Sequence, residues 1–185
     1  FLTAIQVGLL AWSGTTWAAD KVYVANEGAD TVSVLDAASF KTLASVRVGK
    51  TPHNVQVSPD GKVVWVTNNG EPDQAAGSAH TSSDAVIAKV PVGMHPAHVV
   101  VSPDGRLAYV TNGGDDMVSV IDTSEQRVVA TIPVGKFPHG LRISPDGKQA
   151  YVANLKGGTV SVIDTASQKE IAQVQVGKGP AQVGF

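Results

Sequence analysis

Apolar and polar positions along this chain fall into short β-type runs separated by turn residues. In one stretch Val99–Ser102, Leu107–Thr111, Met117–Ile121 and Val128–Val134 each read as a strand, rich in valine and isoleucine. Pro103-Asp104-Gly105 makes a tight turn between the first two: proline presets φ, aspartate tolerates the bridge region and glycine supplies positive φ. Asn112-Gly113-Gly114-Asp115-Asp116 separates the second strand from the third, and Asp122-Thr123 ends the third. Gly135-Lys136-Phe137-Pro138 then carries the chain onward. Several strands are apolar at consecutive positions (Val99-Val100-Val101, Val128-Val129-Ala130), which predicts sheets covered on both faces.

The same four-strand sentence recurs along the chain. Tyr23–Asn26, Trp65–Asn68, Tyr109–Asn112 and Tyr151–Asn154 are near-copies that start 42, 44 and 42 residues apart. Ser-Pro-Asp-Gly returns at Ser58, Ser102 and Ser144. Val-Gly returns at Gly49, Gly93, Gly135 and Gly177, each time with proline three residues later. A period of about 42 residues with four strands per unit predicts an all-β fold of β-propeller blades. The units run 21–62, 63–106, 107–148 and 149–185. Lys21–Asn26 reads as a second strand and Ala181–Phe185 as a first strand. The strands therefore make four blades if the last closes onto the first three. The favoured alternative is a fragment of a seven- or eight-bladed ring.

Unit two departs from the others. Where they carry Val32–Asp36, Val118–Asp122 and Val160–Asp164, it has Ala76-Gly77-Ser78-Ala79-His80 after a longer loop, Asn69–Ala75. Its third strand is weak on sequence. Residues 1–18 also stand outside the repeat. A mostly apolar run to Trp12 followed by small polar residues resembles a signal peptide, with cleavage after Ala18 placing Thr16 and Ala18 at the small-residue positions. The run is too short and interrupted for a membrane span. The mature part, 19–185, is then expected in a bacterial periplasm or outside the cell, with no membrane span after cleavage.

Composition narrows the chemistry. A net charge of −2 argues against a nucleic-acid-binding surface. The absence of cysteine excludes disulfides, thiolate metal sites and Cys-x-x-Cys-His haem attachment.

The Tyr-Val-Thr-Asn tetrapeptides, with Pro138-His139-Gly140, Ser-Pro-Asp-Gly and Val-Ser-Val-Ile-Asp, resemble the YVTN-repeat β-propellers, a family related to the haem-carrying propeller domain of cytochrome-type nitrite reductases. The resemblance covers residues 21–185. It implies exported propellers of seven or eight blades, among them binding proteins and domains attached to redox enzymes. It also implies that first strands line a central channel.

On that topology His53 and His139 enter channel-lining strands, His98 sits one step further along, and His95 precedes Pro96. Imidazole suits copper, zinc or iron, so these four are the candidate metal ligands. Glu27, Asp30, Glu71, Asp73, Asp115 and Asp116 add carboxylates on the same face. The bland alternative is that the repeated Pro-His bonds a neighbouring blade's backbone. The aspartates of Ser-Pro-Asp-Gly and of the strand ends (Asp36, Asp122, Asp164) read as turn formers. Tyr23, Trp65, Tyr109 and Tyr151 read as packing between blades. Lys50, Lys136 and Lys178 read as solvated loop charge, and His80 as a surface residue of the opposite face. No catalytic motif is present. The leading expectation is a non-enzymatic module binding a protein partner or small ligand at the histidine-bearing face. The alternative is a periplasmic redox protein or domain holding haem or copper at the channel mouth.

Overall fold

The computed structural model describes residues 2–6, 21–70 and 85–185. Its strands are β1 (Leu2–Gln6), β2 (Lys21–Asn26), β3 (Thr31–Asp36), β4 (Thr42–Arg47), β5 (Pro52–Val57), β6 (Val63–Asn68), β7 (Ala85–Val90) and β8 (Pro96–Val101). They continue with β9 (Leu107–Asn112), β10 (Met117–Asp122), β11 (Arg127–Pro133), β12 (Pro138–Ile143), β13 (Gln149–Asn154), β14 (Thr159–Asp164) and β15 (Lys169–Gln175). Four antiparallel sheets result, in the orders β2-β3-β4, β5-β6-β1-β7, β8-β9-β10-β11 and β12-β13-β14-β15. Strand β8 lies between β5 and β12, and the three form an inner wall. The chain is a partial β-propeller, as its repeats predict.

The core lies between blades. Trp65 packs against Val99, Val101, Ala108 and Ile121 of the next sheet, and Tyr109 against Leu141, Ala150, Val152 and Ile163 of the one after. Both aromatics are buried. Units two and three thus each lend an aromatic to the succeeding sheet. Among the described residues the first and last sheets have no neighbour on one side, and Val22, Val24, Ile171 and Val174 are exposed.

Asparagine and glycine recur together for a steric reason. A Cβ at Gly135 would lie 2.3 Å from Asn154 Nδ2, and one at Gly49 2.6 Å from Asn68 Cγ. The asparagine side chain fills the space that the missing Cβ leaves. In the Ser-Pro-Asp-Gly turns, Ser102 Oγ donates to Asp104 Oδ1 at 2.5 Å and the Arg106 amide donates to the same oxygen at 3.1 Å. Gly105 follows at φ 75°.

The second blade is completed from a distance. Strand β1 runs antiparallel to both β6 and β7, with Leu2 opposite Thr67 on one side and Val90 on the other. Leu2 and Thr3 are fully buried. In the other blades an asparagine of the second strand donates to a serine of the third: Asn26 to Ser33 at 2.8 Å, Asn112 to Ser119 at 2.9 Å and Asn154 to Ser161 at 2.8 Å. Thr3 takes the serine's place for Asn68. Unit two lacks its own Val-Ser-Val-Ile-Asp, and unpaired edges on β6 and β7 would leave backbone groups unsatisfied. Residues 2–6 of the expected leader occupy this position. Residues 7–18, and the Ala76–His80 stretch with its preceding loop from 71, lie outside the described residues.

Ala181–Phe185, expected as a first strand, forms no strand. A first strand bonds the second strand of its own blade, and β2 does not pair with this segment.

Candidate functional site

Each inner strand carries a bulge where the histidines stand. The register slips between Pro52 and Asn54, between Pro96 and Val99, and between Pro138 and Leu141. Consecutive residues of a regular strand face opposite sides. The extra residue of a bulge cancels that alternation and re-aims a side chain. His53 and His139 hold one repeat position and His98 the next, yet all three meet. Their ring centroids lie 5.1 Å apart for His98 and His139, 5.6 Å for His53 and His139, and 6.1 Å for His53 and His98. One ring nitrogen from each lies within 4.8 Å of one from each of the others.

Threonines hold these strands together. The Thr111 hydroxyl accepts from the His98 amide at 3.0 Å and donates to the His139 carbonyl at 2.7 Å. Thr67 does the same one blade earlier, accepting from the Asn54 amide at 3.0 Å and donating to the Ala97 carbonyl at 2.8 Å. These threonines occur in the tetrapeptides of units two and three, whereas units one and four have alanine at that position. That difference was the sequence's only signal for the clamp.

Each imidazole also has a partner away from the cluster. His53 Nδ1 meets the Glu27 carboxylate. His139 Nδ1 meets the Ala181 carbonyl at 3.1 Å, and His98 Nε2 meets the Gln182 amide group at 3.1 Å. All three histidines are half-buried. Burial, then the nearby His139, His53 and Arg142 charges, pushes the His98 imidazole down to about 4. His98 is therefore neutral at neutral pH.

His95 is not part of the cluster. It sits in the turn before β8 at φ 52°, as Thr51 and Phe137 do at 51° and 55° in the neighbouring turns. That turn sends its ring to Asn69 Oδ1 at 3.2 Å and toward Phe137. Among the carboxylates of this face, Glu27 alone reaches the imidazoles in the described residues. Asp30 and Asp116 pair with Lys50 and Lys136 at 2.6 Å, bonds that hold both carboxyls below the usual range. Asp115 accepts from the Met94 amide at 2.6 Å. Glu71, Asp73 and His80 lie outside the described residues. Asp36, Asp122 and Asp164 accept from Ser39, Ser124 and Ser167 in their own turns.

Stacked four-stranded sheets around an inner wall that carries clustered imidazoles define a β-propeller with a polar channel face. The sequence profile of the Cytochrome D1 heme domain matches residues 75–182, and the chain belongs to that family. Among solved structures, a functionally unknown protein from Desulfotomaculum acetoxidans is 16% identical with a TM-score of 0.71, covering 98% of this chain and 58% of that one. The dihydro-heme d1 dehydrogenase NirN, solved in complex with DHE, is 19% identical with a TM-score of 0.67, covering 95% of this chain and 40% of that one. Kuenenia stuttgartiensis hydrazine synthase matches at 25% identity and a TM-score of 0.45, covering 88% of this chain and 35% of that one. The chain thus spans less than two thirds of each of these solved chains. The comparison with curated protein sequences finds no match.

Proposed function

We propose that this chain is part of an exported redox propeller that holds a haem-type group at its channel mouth, against the face carrying His53, His98 and His139. The observation that carries this reading is the family match over 75–182, which includes the two blades bearing His98 and His139. The sequence alone put a non-enzymatic binding module first. The family match favours the alternative. Export belongs to the same proposal and rests on the family match, since a leader cleaved after Ala18 would remove β1 from the second blade.

The donor set tests the fit. Imidazole is a ligand of haem iron, and three imidazoles converge at this face. Of the three clustered imidazoles, one would hold the iron and the other two would stand beside it. His139 or His53 would hold the group through Nε2, because each has Nδ1 tied back. A bound haem supplies one-electron transfer and a coordination site for a small ligand. The protein's part is to orient the ligating ring through Ala181 or Glu27. Neutral His98 offers a nitrogen that accepts a proton beside the site.

The test is an optical spectrum, a pyridine haemochrome assay and an iron analysis on the full-length protein. A Soret band with stoichiometric iron is expected, either as isolated or after titration of haem-free protein. Full-length protein that neither contains nor takes up haem sinks the reading.

A further inference from the structure

We infer that His53, His98 and His139 together form a mononuclear site for a divalent late first-row metal ion, of the copper or zinc class, with one coordination position left open. The inference goes beyond the haem reading and does not rest on it. A haem iron uses one of these rings at most on this side, whereas all three converge here.

Three observations carry it. First, the cluster is compact and drawn from three separate blades, each donor standing on a bulged inner strand. Tetrahedral zinc with bonds of about 2.0–2.1 Å needs nitrogens about 3.4 Å apart. The 4.8 Å envelope leaves the nitrogens within about 1.4 Å of that spacing. Secondly, the rings carry the outer partners that metal-bound imidazoles use. A ligating histidine almost always donates its other N–H to a carboxylate or carbonyl, which sets the tautomer and the ring direction. Glu27 does this for His53 and the Ala181 carbonyl for His139, leaving Nε2 as the ligand atom in both. Gln182 does it for His98. Turning its amide over exchanges N and O without moving heavy atoms, so that Oε1 accepts from Nε2–H and Nδ1 becomes the ligand. Thirdly, the backbone is braced under the ligands, since the Thr111 hydroxyl ties the His98 and His139 strands to one point.

Three neutral imidazoles leave the ion its full charge. Its open position then favours water, hydroxide or a small anion. Copper is held most tightly among divalent first-row ions at a nitrogen site, so Cu²⁺ and Zn²⁺ are the probes.

The experiment uses untagged full-length protein stripped with a chelator and kept free of haem. Cu²⁺ and Zn²⁺ are titrated separately, with calorimetry and metal analysis for stoichiometry and the Cu²⁺ spin-resonance spectrum for ligand type. The expected result is one ion per chain with hyperfine structure from three nitrogens. Alanine at His53, His98 or His139 should each abolish tight binding while far-ultraviolet circular dichroism stays native. Glu27→Gln should keep the stoichiometry and weaken binding about 10–100-fold, a change that a purely structural role would not produce. Substoichiometric uptake, fewer than three nitrogen ligands, or unchanged affinity in a folded His98→Ala protein overturns the inference. Tight ion binding by a protein that refuses haem upholds it while sinking the haem reading. Haem uptake without ion binding does the reverse.

Discussion

Asn68 donates from Nδ2 to the Thr3 hydroxyl at 2.5 Å, joining two residues that stand 65 positions apart in the chain. This bond ties the leader-like segment into the second blade. Thr3→Val removes the acceptor of this buried bond, which costs about 1 kcal/mol. Urea denaturation of the two proteins checks this. Deleting residues 1–18 should lower the midpoint further, because β6 and β7 lose their shared neighbour. Sequencing the N-terminus of protein purified from the producing cell shows whether the strand stays: retention of Leu2–Gln6 is expected where blade two is intact.

Tyr109 separates packing from hydrogen bonding. Its ring is fully buried, while its hydroxyl has no hydrogen-bond partner among the described residues. Tyr109→Ala should therefore cost about 3–5 kcal/mol through the cavity it opens. Tyr109→Phe should be neutral or slightly stabilising, since replacing an unpaired buried polar group by an apolar one removes its desolvation penalty. A loss above about 1 kcal/mol in the phenylalanine variant would mean that the hydroxyl is bonded after all.

The glycine–asparagine pairs should behave as one unit. Gly135→Ala places a methyl 2.3 Å from Asn154 Nδ2 and 2.9 Å from Thr159 Oγ1, so overpacking of about 1–3 kcal/mol is expected. Asn154→Ala frees much of that space. The double variant should then be less destabilised than the two single variants taken together, giving a coupling energy measurable by a double-mutant cycle.

His98 predicts the pH response of the fold. Its imidazole titrates near 4 when folded, against 6.5 in the unfolded chain. Between those values the unfolded state binds more protons at this site. Stability contributed here is therefore complete above pH 6.5 and declines as pH falls toward 4. Thermal midpoints across that window should drop with acidity, and His98→Gln should flatten the slope. An equal slope in the variant would assign the effect to other groups.

The fold was legible because its repeats carry steric requirements in fixed register. Gly49, Gly135 and their partner asparagines, and the Asp104–Gly105 turn, each demand one residue type at one place. The histidine rim was half legible. His53 and His139 share a repeat position, but His98 is offset by one residue, and only the bulges show why it joins them rather than facing away. His95 looked equivalent on sequence and is turned aside by its positive φ. Glu27 was legible as one carboxylate of that face but not as the partner of His53, and Gln182 not as a partner at all, since each reaches a histidine on another blade. Strand β1 was hidden for a different reason: an apolar segment of small and branched residues suits a leader and a buried strand equally well.

The placement of β1 has a consequence for how the molecule is made. The ribosome delivers this segment well before both of its pairing partners, the last of which ends at Val90. Until then an apolar ribbon waits without a sheet to join, open to chaperones, to self-association or to the export machinery. Closing so long a loop is slow compared with forming the hairpins of blades three and four. The second blade should therefore be the last to gain amide-exchange protection during refolding, with its neighbours already formed on either side.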